Sequence, residues 1–227
     1  MKNFILSIIL FSLFSIKSFG HVEHYANFNY LEYELFRNNK SIGYHKYDFQ
    51  REGEDLSITS EVSFKITKLG VDLYKYFAKS NENYEKGVFK SYSSKTKQNK
   101  KDRYVNIKVD EINNSLIIDG SSYKGKANKE FIVGTWWNHE IIQAKAQISG
   151  ISGRIIEQTV TFIGKEDLKI GDKVYKTLHF NFKSSNDALP DSKKLNTDIW
   201  YEEETFLWVK AGFDKTGYWE YRIKKVK

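Results

Sequence analysis

Apolar and polar residues alternate with a period of two along stretch after stretch of this chain, and side chains with that period line opposite faces of an extended strand. Leu56, Ile58, Val62, Phe64 and Ile66 fall on one side of such a stretch, with Ser57, Thr59, Glu61, Ser63 and Lys65 on the other. The period returns at Val105-Ile107-Val109, Ile156-Val160-Phe162, Val174-Leu178-Phe180-Phe182, Leu207-Val209-Ala211-Phe213 and Trp219-Tyr221-Ile223. Turn-forming pairs separate the runs, among them Asn38-Asn39, Glu52-Gly53, Asp119-Gly120, Gly171-Asp172 and Thr216-Gly217. Such short spacings favour hairpins. Fifteen Tyr, 16 Phe and 5 Trp beside a single Pro fit strands as well. About ten to twelve strands are more than a flat open sheet carries comfortably. The expected fold is therefore all-β, an antiparallel meander curled into a barrel or half-barrel. One segment departs from the pattern. Thr135 to Ala146 (TWWNHEIIQAKA) places Trp137, Ile141 and Ile142 at helical spacing behind Thr135 as N-cap, which predicts one short helix.

Composition narrows the chemistry. With no cysteine among 227 residues, disulfides, thiolate metal sites and a cysteine nucleophile are excluded. Met1 to Gly20 has the form of an export signal: Lys2, the apolar stretch Phe4 to Phe14, then small residues at Ser18 and Gly20. The stretch is shorter than the roughly 20 apolar residues of a spanning helix. The expected product is a soluble periplasmic or secreted chain, with residues 21–227 forming one β domain. The net charge of +7 accompanies a general richness in Lys, Asn and Ile. Together with export, this argues against a nucleic-acid partner. Lys95, Lys97, Lys100, Lys101 and Arg103 crowd one predicted hairpin tip, a pattern suited to solvent or to anionic headgroups.

Several segments resemble an uncharacterised family of secreted bacterial proteins, a domain of unknown function. Asn38-Asn39-Lys40-Ser41-Ile42-Gly43-Tyr44-His45 is similar to its opening hairpin, roughly N-G-x-x-I-G-x-H. Thr135-Trp136-Trp137-Asn138 and Ser152-Gly153-Arg154 are similar to its central stretch. Thr197-Asp198-Ile199-Trp200-Tyr201, Leu207-Trp208-Val209 and Tyr218-Trp219-Glu220-Tyr221 resemble its closing D-x-W-Y hairpin. The chain departs from that pattern at Glu202 to Thr205, where the family has a glycine-containing turn. More distantly, the pattern resembles the half-barrel lipoprotein carriers of the bacterial envelope, whose concave face holds acyl chains. That likeness is one of fold alone.

No G-x-S-x-G elbow, phosphate loop or H-E-x-x-H occurs, so no catalytic set and no cofactor is assigned. A curled aromatic sheet suits an apolar or amphipathic, lipid-like ligand on its concave face. Trp136, Trp137 and Trp200 are the expected aromatic contacts, and His45 the polar one. An envelope protein bound to a filled-core version of the same fold is the alternative partner. Two enzyme or metal readings stand behind these. His21 and His24 are candidate copper ligands if the signal is cut after Gly20. His45 and Asp198 are a candidate acid–base pair. His179 lies opposite the apolar face of its strand and is expected to be exposed.

Overall fold

The computed structural model describes residues 25–227. The signal segment and the copper candidates His21 and His24 lie outside these described residues. Fifteen strands are present: β1 (Tyr30–Arg37), β2 (Lys40–Glu52), β3 (Asp55–Lys68), β4 (Val71–Glu85), β5 (Val88–Gln98), β6 (Lys101–Asp110), β7 (Ser115–Gly120), β8 (Lys124–Asn128), β9 (Ile132–Val133), β10 (Ala146–Ile148), β11 (Ile155–Ile170), β12 (Lys173–Ser184), β13 (Asn196–Glu202), β14 (Trp208–Asp214) and β15 (Tyr218–Val226). They form one sheet in the order β8-β7-β6-β5-β4-β3-β2-β1-β15-β14-β13-β12-β11-β10-β9. Neighbours in space are neighbours in sequence except at β1–β15, which joins the two ends of the meander. The pairing is antiparallel throughout apart from β9 with β10. The sheet stays open between β8 and β9, the two edge strands.

Hairpin chemistry explains the regularity. Two-residue turns with positive φ at both positions close β1–β2 at Asn38-Asn39, β3–β4 at Leu69-Gly70 and β4–β5 at Lys86-Gly87. These backbones follow the right-handed strand twist, which sets register without long loops. Gly43 permits an unusually close approach of β2 to β3: a Cβ there would lie 2.0 Å from the Ser63 carbonyl oxygen.

The segment from 129 to 154 does not lie on the outside. Tyr47 of β2 donates to the Thr135 carbonyl (2.7 Å) and Tyr201 of β13 to the Trp136 carbonyl (2.9 Å). The Trp137 indole donates to Glu82 of β4 (3.0 Å), and Tyr92 and Ser94 of β5 both donate to the Gly150 carbonyl. Strands far apart in the sheet thus converge on one inner segment, which requires the sheet to curl around it. The main core forms where it meets β1, β2, β13 and β14, with Tyr33, Tyr47, Trp137, Tyr201 and Trp208 fully buried. A second cluster, including Tyr92, Val105, Ile107, Ile118 and Ile148, packs β5 to β7 against β10.

The helix expected over Thr135–Ala146 is a single 3-10 turn, His139–Ile142, capped by Asn138 and not by Thr135. Thr135 and the two tryptophans are instead drawn into extended and turn conformations by the bonds to Tyr47, Tyr201 and Glu82. Tertiary hydrogen bonds outweigh the local helical spacing here.

Candidate functional site

Where β2 to β5 face the inner segment, a cavity of about 240 Å³ remains. Its floor consists of small side chains in adjacent registers: Ser60, Ser80 and Ser94 are cross-strand partners, and so are Val62, Ala78 and Thr96. Large residues at these positions would close the space, so the cavity follows directly from a local run of small side chains. Its walls are His45, Tyr47, Tyr76, Tyr92 and Tyr221, and its roof includes Gly134, Thr135, Trp136, Gln147 and Gly150.

His45 occupies the β2 wall. One ring nitrogen, Nε2, lies 2.8 Å from Ser60 Oγ, while Nδ1 is buried without a partner. Burial holds the imidazole neutral by pulling its pKa down to about 3. The ring packs 4.3 Å from Tyr47 and 5.9 Å from Tyr221, centroid to centroid. Trp136 faces it across the cavity, edge-on to Trp208 and Tyr221 at 5.3 and 5.6 Å. The Trp136 indole N–H is likewise buried and unpaired.

Trp136 is also strained. Its φ is +59°, and the Trp137 N–H donates to the Thr135 carbonyl at 2.8 Å, making a γ-turn of the rarer hand. A bulky residue adopts this conformation only when its surroundings over-determine it, and such strain gathers at functional sites. Here Tyr47 and Tyr201 fix the two carbonyls on either side of the Trp136 nitrogen and α-carbon.

An outer groove shares three of these lining residues. Tyr76, Ile151 and Tyr221 also line a groove of about 520 Å³ whose other walls are Phe64, Ile66, Leu73, Tyr74, Phe213 and Trp219, with Arg37 and Lys215 at its rim. The inner part therefore presents hydroxyls, an imidazole and an indole N–H; the outer part is aromatic and aliphatic.

Of the residues singled out from sequence, His45 and Trp136 meet at this cavity. Trp137 does not line it: the side chain is 1% exposed, with its indole held by Glu82. Trp200 does not line it either. It takes the opposite face of β13 from Ile199 and Tyr201 and is itself buried there, 6% exposed. There it stacks on His179 at 4.2 Å and donates to Glu166. Asp198 shares that face and bonds His179 (3.0 Å) and Asn181 (3.1 Å). Three strands lie between β13 and β2, and the structure pairs Asp198 with His179 and not with His45. His179, expected to be exposed, is largely covered, with its two ring nitrogens against Glu166 and Asp198.

Sequence reasoning passed over Ser60, although it left a trace. Ser60 interrupts the apolar row Leu56-Ile58-Val62-Phe64, and that gap is where the imidazole of His45 finds its partner. Glu82 was also missed. It sits on an inner position of β4, 3% exposed, and burial raises its carboxyl to about 7 against the pull of hydrogen bonds from Tyr84, Trp137 and Thr135. Among the described residues, no group of three or more His, Asp or Glu side chains is placed to hold a metal ion.

A sheet curled around an inner segment, open at one seam, defines a β-barrel-like protein. The chain shares this fold with a solved structure from Brucella abortus, a β-barrel-like protein of domain of unknown function DUF1849 (TM-score 0.61, 11% identity, covering 87% of this chain and 96% of that one). The chain itself belongs to the family described as domain of unknown function DUF6134, which matches residues 33–224. No curated protein matches it.

Proposed function

We propose that this protein is an exported binding protein for a small amphipathic molecule, seated with its polar end against His45 and Trp136 and its apolar part along the Phe64–Trp219 groove. The observation that carries the reading is the pair of buried, unpaired polar atoms, His45 Nδ1 and Trp136 Nε1, on two residues that line one cavity beside an apolar groove. Buried polar groups are ordinarily satisfied, and leaving one without a partner costs about 1–3 kcal/mol. A ligand with a hydrogen-bonding head would satisfy both. The inner segment fills much of the concave face, which favours a compact ligand over a long acyl chain lying in a hollow half-barrel. Neutral His45 suits an uncharged or weakly polar head better than an obligate acid. The leader-like Met1 to Gly20 supports export to the periplasm or beyond.

Native mass spectrometry of protein purified from an exporting bacterial host is the direct test, paired with titration of an uncharged amphipathic, solvent-sensitive naphthalene dye. A small-molecule adduct, or dye fluorescence displaced by an extract of the host envelope, is expected. Ser80→Leu and Ala78→Leu, which fill the floor, should remove the adduct and weaken dye binding about tenfold or more while the protein stays folded. A bare mass combined with dye binding unchanged in both variants would overturn the reading.

A further inference from the structure

The hairpin of β3 and β4 is longer than its surroundings. Pairing of β3 with β2 ends at Phe64, and pairing of β4 with β5 ends at Tyr76. Residues 65 to 75 therefore project as a two-stranded finger, about four residues or roughly 13 Å beyond the sheet. Its tip is apolar: Leu69 is 95% exposed, Val71 61% and Leu73 55%, with Phe77 41% exposed at the root. Leu69 takes φ +51° in the Leu69-Gly70 turn. The two sister turns of the same kind carry Asn38 and Lys86 at that position, polar residues that tolerate both water and the turn. A leucine there is unfavourable on both counts in water.

Charge surrounds this tip. Lys65 and Lys75 are cross-strand partners at its root, and Lys68 flanks the turn. Two hydrogen bonds between Asn99 and the Lys75 backbone bring the β5–β6 turn alongside, and with it Lys97, Lys100 and Lys101. All six lysines are exposed. The acids nearby are Asp72, already held by Thr67 and Lys75, and Asp102. The basic run at Lys95–Arg103 has no aromatic or aliphatic residue of its own at its tip; the neighbouring hairpin supplies them.

We propose that the β3–β4 finger docks the protein on an anionic lipid bilayer, with Leu69, Val71 and Leu73 entering the acyl layer and the lysines meeting the headgroups. A narrow protruding tip enters a fluid layer, whereas a protein partner would have to offer a matching pocket. Ile66, Leu73 and Tyr74 of the same finger line the apolar groove, so docking places its mouth at the membrane surface. An exposed apolar turn residue alone would not carry this. Ile112, 96% exposed in the β6–β7 turn, stands beside Asp110 and Glu111, and those two acids already pair with the lysines around it, Lys126, Lys90 and Lys129.

The absence of native cysteine allows a single reporter dye at Leu69→Cys, with Ile112→Cys as the matched control. Vesicles of phosphatidylcholine alone and with phosphatidylglycerol are the probes. The dye at 69 should blue-shift on the anionic vesicles only, the dye at 112 on neither. Leu69→Asp should lower vesicle affinity about tenfold or more, as should Lys97→Glu with Lys101→Glu, and so should raised salt. Both variants change exposed positions, and an unaltered melting curve confirms folding. A dye at 69 that stays aqueous, equal binding to neutral vesicles, or capture of a protein without vesicle binding would each overturn the proposal. Ala78→Leu, which fills the inner cavity, should leave vesicle binding unchanged, so docking and ligand binding fail separately.

Discussion

Two titratable side chains that face the interior have opposite effects on stability. His45 has a folded pKa of about 3, below its ordinary 6.5, so the unfolded chain binds the proton more readily between those values. Its contribution is full above pH 6.5 and is lost as pH falls toward 3. Glu82 has a folded pKa of about 7, above its ordinary 4.5, so the folded chain holds that proton between those values. Its contribution is full below pH 4.5 and is lost as pH rises toward 7. Each changes stability by about 1.4 kcal/mol per pH unit across its window. Between pH 4.5 and 6.5 the two slopes oppose each other and largely cancel. Urea unfolding from pH 4 to 8 should therefore show a plateau in the wild type. Glu82→Gln should replace it with stability that climbs steeply with pH and exceeds the wild type by up to about 3 kcal/mol at pH 8. A flat profile in that variant would show that His45 does not stay neutral.

At the level of elements, the inner segment is the part of the chain most dependent on others for its shape. Its own hydrogen bonds are confined to tight turns, one turn of 3-10 helix and the short β9–β10 pairing, and Tyr47, Tyr92, Tyr201 and Glu82 anchor it to the sheet. Tyr201→Phe orphans the Trp136 carbonyl, Tyr47→Phe leaves the Thr135 carbonyl only its γ-turn bond from Trp137, and each should cost about 1–3 kcal/mol. Because both hold the same strained turn, the double variant should cost measurably less than the sum. Once one anchor is gone, the γ-turn relaxes and the second has less to hold. Chemical denaturation of the four proteins checks this, and strict additivity would mean that the turn survives on packing alone. The same argument explains why helical spacing misled over 135–146. Trp137 and Ile141 are buried, but the partners of this stretch lie on several strands, and a helix would carry Trp136 and Trp137 away from them.

For the whole molecule, the β1–β15 pairing decides the architecture. Every other ladder joins strands close in sequence, whereas this one joins the two ends of the described chain and turns two meanders into one curled sheet. Leu31, Tyr33, Leu35, Trp208, Val209 and Ala211 are entirely buried around that junction. Amide exchange should be slowest there, in β1, β14 and β15. It should be fastest in β8, an edge strand with one ladder and exposed Lys124, Gly125 and Lys126. Protection of β8 equal to that of β1 would show that the seam is covered in solution.

Alternation along each strand and the chemistry of its turns are local properties, so the sequence determined by itself that the chain is an antiparallel meander. Strand count added that the sheet must curl. It also marked His45 and the Trp136-Trp137 pair as notable. Which aromatics face inward was harder to read. Trp200 and Tyr201 are adjacent and both favour burial, and only the packing of Ile199 and Tyr201 against the core sends Trp200 to the opposite face with His179. The cavity was hidden altogether, because Ser60, Ser80, Ser94 and Thr96 are unremarkable until strand register sets them side by side. Distances between strands, unlike periods along them, are fixed only when the whole sheet closes on its inner segment, and the candidate site is built from such distances.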